Sequence, residues 1–111
     1  MHPMPPPDLT PIDEPAIVHV ESDFEDLLPK FMANRKKEVV TMQDALAQQD
    51  FETVRKIAHG MKGVGGSYGF DRVTIMATII EQAANAASAA PITAELARLA
   101  TYLDRVQVVF D

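Results

Sequence analysis

Four stretches of the chain place apolar residues at steps of three and four, the spacing that lines up one face of an α-helix. In the first, Phe31, Val39, Met42 and Leu46, with Arg35 at the same helical spacing, carry the pattern to about Gln49. The charged run Arg35, Lys36, Lys37 and Glu38 within it reads as solvated. Asp50 fits the N-cap of the second helix, with Glu52 in its first turn. There Phe51, Val54, Ala58, Met61 and Val64 form a continuous stripe that fades through Gly65, Gly66 and Gly69. Asp71 is expected to cap a third helix, striped by Val73, Met76, Ile80, Ala83 and Ala87. After a break at Ser88 to Pro91, the last helix carries Ile92, Leu96, Leu99, Leu103, Val106 and Phe110. No segment joins period-two alternation to turn signals, so no sheet is expected. Amphipathic helices joined by short turns bury their stripes together as a bundle. The predicted class is all-α: an antiparallel, up-down-up-down four-helix bundle with a short extra N-terminal helix.

That extra helix rests on Ser22 and Glu25, a capping-box spacing, with Phe24 and Leu28 on one side. Pro29 then predicts a break, a kink, or a new helix with proline in its first turn. Further upstream, Pro3, Pro5, Pro6, Pro7, Pro11 and Pro15 exclude a helix or a central strand. Residues 1–20 read as a Pro-rich, acidic, mobile leader, either a passive tail or a PxxP-type ligand. The bundle takes 21–111.

Composition narrows the function. The chain has 111 residues, enough for one domain of the usual size of about 100–150. Cysteine is absent, which excludes disulfides, thiol catalysis and cysteine-held metal sites. Tryptophan is absent and aromatics are 6%, so base stacking is not expected. The net charge of −6 comes from the first 26 residues, which hold seven acidic and no basic side chains. Residues 27–111 balance to +1, which argues against nucleic acid as a partner. No apolar run nears the ~18 residues of a membrane span, and no signal peptide is read, so a cytoplasmic location is expected.

Three histidines are present. His2 and His19 lack partners at metal-ligand spacing and read as incidental. A metal-binding bundle would need a Glu-x-x-His set, but position 56 is Lys, so no metal site is predicted. His59 follows Ala58 of the second stripe, on the helix flank near the surface. Its face holds Arg55 four residues before, Lys62 and Gly63 after, and Gly66 a turn on. Gly60 and Gly63 each cost about 1 kcal/mol in a helix interior relative to alanine. Either something approaches the backbone closely there, or neighbouring helices crowd it. His59 itself is a phosphoryl nucleophile or a surface histidine without a role. A neutral imidazole can attack phosphorus, and Lys62 and Arg55 could offset the phosphoryl charge. The glycine run is neither a Walker A loop nor a dinucleotide fingerprint, so no ATP site is expected. Phosphate would then come from another protein and go to another.

The run Ile57–Ala58–His59–Gly60–Met61–Lys62–Gly63, continued by Val64–Gly65–Gly66–Ser67–Tyr68–Gly69–Phe70, resembles the signature of histidine-containing phosphotransfer (HPt) domains of phosphorelays. The resemblance extends to Phe31 and Arg35, to Asp50–Phe51, and to Glu81 on the third helix. It implies that His59 is the phosphoacceptor and that Lys62 stabilises the phosphoryl group. It implies that Gly63 clears space for a partner's active site, with Gly66 and Gly69 as small residues closing the helix. Glu81, or Gln82 beside it, matches a polar position that orients the histidine. Val64 departs from the pattern, since many members carry serine there.

The resemblance further implies a stand-alone, monomeric phosphocarrier without autokinase activity, hence not an enzyme. Its partners would be receiver domains of response regulators and hybrid histidine kinases. No cofactor is expected in the chain, since Mg²⁺ belongs to the receiver. The alternative is a non-phosphorylated four-helix adaptor that binds and inhibits a receiver or kinase.

Overall fold

The computed structural model describes residues 17–111. The leader up to residue 16, including His2, lies outside the described residues. Four helices follow one another: α1 (Leu28–Ala47), α2 (Phe51–Ser67), α3 (Asp71–Asn85) and α4 (Ala89–Arg105). A 3-10 helix, Ser22–Leu27, precedes α1. Two strands, β1 (Ile17–Val20) and β2 (Gln107–Phe110), flank the helical body. Helix α1 packs on α2, α2 on α3, α3 on α4, and α4 back on α1.

The helix boundaries follow local chemistry. Pro29 sits in the first turn of α1, where its missing N–H has no partner to lose. Asp50 caps α2: its Oδ1 accepts from the Thr53 backbone N–H at 3.1 Å and its Oδ2 from the Thr53 hydroxyl at 2.6 Å. The three connections share one geometry. Phe70 N–H donates to Gly65 C=O at 2.9 Å and Gly69 N–H to Gly66 C=O at 3.2 Å, a Schellman closure. Asp50 and Gln49 repeat it on Ala45 and Leu46, and Ser88 and Ala87 on Ala83 and Ala84. The middle residue takes positive φ each time: Gln49 at 59°, Gly69 at 85° and Ala87 at 51°. The third residue of each turn is also the N-cap of the next helix.

The expected stripes form the core. Phe31, Val39 and Met42 of α1, Val54, Ala58 and Met61 of α2, Val73, Met76 and Ile80 of α3, and Ile92, Leu96, Leu99 and Leu103 of α4 are all buried. Several details differ from expectation. Arg35 is buried, not solvated: its guanidinium lies 4.9 Å from the Phe31 ring centroid and bonds Glu38. The N-terminal helix is 3-10, and Ser22 lies inside it with no side-chain cap bond. Phe70, not Asp71, is the N-cap of α3; Asp71 is the first helical residue. Ala77 and Ala84 are buried beside the α3 stripe, Ala83 is half-buried and packs on the core as expected, and Ala87 lies in the turn.

The largest correction is a sheet where none was expected. Residues 17–20, assigned to the leader, pair in parallel with 107–110, assigned to the last helix. The register runs from Ile17 opposite Gln107 to Val20 opposite Phe110. Two four-residue strands are not stable alone. This ribbon is held because Val20 is fully buried and Val18, Val106, Val108 and Phe110 pack on the core. His19 Nδ1 meets Asp111 Oδ1 at 3.1 Å on the exposed side. No helix of the described residues is long and apolar enough to cross a membrane.

Candidate functional site

His59 stands on the outer face of α2, with its side chain 66% exposed. The stripe explains the placement, because Ala58 and Met61 point into the core and leave position 59 on the flank. Across the α2–α3 seam, Glu81 reaches up from α3 beside buried Ile80. Its Oε2 lies 2.7 Å from His59 Nδ1, and its Oε1 lies 2.9 Å from Lys62 Nζ. The Glu81 side chain is only 14% exposed. The Lys62 hydrogen bond, then that of His59, holds its carboxyl below the usual range, against the opposing effect of burial.

That ionisation decides the imidazole tautomer. An ionised carboxylate only accepts hydrogen bonds, so Nδ1 carries the proton and donates it to Glu81. Nε2 keeps its lone pair and has no hydrogen-bond partner among the described residues. The arrangement offers an exposed, oriented nucleophile backed by a carboxylate and a cation. Gln82 is exposed and takes no part in this contact, so Glu81 is the residue that meets the histidine.

The glycines divide into two kinds. A Cβ at Gly60 or Gly63 would meet nothing within 4 Å, so helix crowding does not account for either. At Gly65 a Cβ would lie 3.0 Å from both Thr74 Oγ1 and Val73 Cγ1, so α3 crowds the backbone there. At Gly66 the nearest atom, Thr74 Oγ1, is at an ordinary 3.5 Å. Below them, Tyr68 stacks on Phe31 at 4.5 Å between centroids, and Phe31 on Phe70 at 4.9 Å, fixing the end of α2.

Arg55 is not joined to the histidine. Its Nη2 and Nε bond the two Glu52 oxygens at 2.6 and 3.3 Å, and Glu52, with a lesser pull from Glu81, raises its pKa. Thr74, not singled out in the sequence, donates its hydroxyl to the Lys62 carbonyl at 2.9 Å. Among the described residues no group of three or more His, Asp or Glu side chains could hold a metal ion.

The Hpt domain family matches the chain over residues 26–108. No curated protein and no solved structure matches it significantly. Because the family match takes in all four helices and both sides of the α2–α3 seam, the chain belongs to the Hpt domain family, whose members carry phosphoryl groups in two-component signalling.

Proposed function

We propose that the chain is a phosphorelay carrier in which His59 takes a phosphoryl group from a receiver-domain aspartate and passes it to another receiver. The observation that carries this is the exposed His59 ring held through Nδ1 by Glu81, which leaves Nε2 as the nucleophile. In the forward step Nε2 attacks phosphorus, the N–P bond forms, and the acyl phosphate P–O bond breaks to release the receiver's carboxylate. Nδ1 keeps its proton, so the phosphorylated ring is formally cationic and the Glu81 carboxylate offsets it. The reverse step returns the phosphoryl group to a second aspartate.

Lys62 turns from Glu81 to the phosphoryl oxygens as that charge arrives. Gly63, with open space at its Cβ, lets the receiver's loops pass over the backbone, and Gly66 widens the same face. Arg55, paired with Glu52, makes no contact with the histidine, and the pairing weakens its positive field there. Mg²⁺ enters with the receiver, and the carrier works as a cytoplasmic monomer. The antiparallel order is supported by seam pairs that run oppositely along α2 and α3: Thr74 meets Lys62, and Glu81 reaches back to His59. Three-residue connections agree with it.

The test is incubation with a panel of phosphorylated receiver domains. Acid-labile label should move onto the chain, and His59→Gln should fold yet take none. Wild-type labelling of that variant would remove His59 from the role.

A further inference from the structure

The hydroxyl of Thr74 sets it apart from the other described threonines. Thr41, Thr78, Thr93 and Thr101 each donate to the carbonyl four residues back in their own helix, at 3.1, 2.7, 3.1 and 3.1 Å. That is the ordinary local bond of a helical threonine. Thr53 bonds the Asp50 cap. Thr74 alone crosses to another helix, giving its proton to the Lys62 carbonyl at 2.9 Å. A helix carbonyl has a second lone pair free for this bond.

The crossing is possible because α2 is stripped of side chains opposite it. Thr74 Oγ1 lies where a Cβ of Gly65 would come within 3.0 Å and one of Gly66 within 3.5 Å. Two turns along α3 from Thr74 stands Glu81, whose two oxygens hold His59 and Lys62. The seam is thus pinned at two points, and Lys62 belongs to both: its carbonyl is bound by Thr74 and its ammonium by Glu81. A slide or rotation of α3 on α2 would move the Glu81 carboxylate away from Nδ1. We infer that Thr74 is a positioning residue, whose cross-helix hydrogen bond locks the α2–α3 register that presents Glu81 to the His59 ring.

The inference rests on the carrier reading for its effect on transfer, but the ring itself can be followed independently. Side-chain ¹⁵N spectra of the intact protein, at a pH where the ring is neutral, give the fraction of the Nδ1–H tautomer at His59. Thr74→Val and Thr74→Ala remove the hydroxyl with and without similar bulk, and Thr74→Ser keeps it. Both hydroxyl-free variants should lose part of the Nδ1–H fraction and accept phosphoryl groups about three- to tenfold more slowly. Thr74→Ser should stay within about twofold of wild type. An unchanged tautomer in Val and Ala, whatever their melting temperatures, would overturn the inference. So would a Ser variant that behaves like Ala. If even the wild type takes no label from any receiver, the carrier reading falls, while the tautomer series still decides the role of Thr74.

Discussion

Glu81 gives one oxygen to a ring and the other to an ammonium, so changing either partner changes the carboxylate for both. Lys62→Ala should slow transfer on the order of tenfold to a hundredfold, since a charge-assisted contact to the phosphoryl group is worth about 1.5–3 kcal/mol. Affinity for an unphosphorylated receiver should change much less, and Lys62→Arg should recover part of the rate. Equal losses in rate and affinity would make Lys62 a docking residue. Glu81→Gln keeps an acceptor for Nδ1–H but removes the charge. The folded Glu81 carboxyl titrates below its ordinary value of 4.5, so the unfolded chain binds more protons in that window. Its stabilisation is present above the ordinary value and lost as pH falls through the folded one. Urea midpoints of wild type and Glu81→Gln should therefore differ near neutrality and converge as the pH falls through the lowered titration of the folded carboxyl. His59 and Lys62 are legible in the sequence because residues three apart on a helix share a face. Glu81 lies 22 residues from His59 on another helix, and only the family resemblance pointed to it. Thr74 leaves no signal, because its partner is a backbone carbonyl reached only once Gly65 lets two helices touch.

Helices and turns carry their own tests. The three connections share one closure, but only one has glycine at its positive-φ position. An L-residue there costs about 1–2 kcal/mol in the left-handed region. Ala87→Gly should stabilise the fold by up to about 1 kcal/mol, and Gly69→Ala should destabilise it by a similar amount, both read by denaturant midpoint. Gly63→Gln should gain a fraction of 1 kcal/mol of stability from helix propensity yet impair transfer by blocking the receiver's approach. Gly65→Ala should do the opposite to stability, because overpacking against Val73 and Thr74 costs about 1–3 kcal/mol. The sequence marks the glycine-rich end of α2 but cannot sort these two glycines. Their difference lies in what α3 places opposite each one.

For the molecule as a whole, the apolar stripes foretold the bundle and most of its core, but not the ribbon. Val106 and Phe110 are four apart, and four is both a helical step and an even number. Residues so spaced share a face of a helix and equally of a strand, so the pattern could not separate the two. What ends α4 is Val106 turning extended, after which Val108 and Phe110 face the core and Gln107 and Val109 face out. Val20, fully buried opposite Phe110, anchors the pair. Val20→Ala should cost about 2–3 kcal/mol and loosen amide protection in both strands, while a local effect confined to β1 would show the ribbon to be independent of the core.

The parallel direction of that ribbon has a mechanical meaning. Tension applied through the chain on both sides enters at Ile17 and leaves at Phe110, diagonally opposite corners of the paired strands. The load then falls on all the ladder bonds at once, in shear, instead of peeling them one by one. Single-molecule pulling along this axis should meet a higher rupture force than pulling through attachment points at Ile17 and Gln107, which lie side by side and would unzip the same bonds in turn.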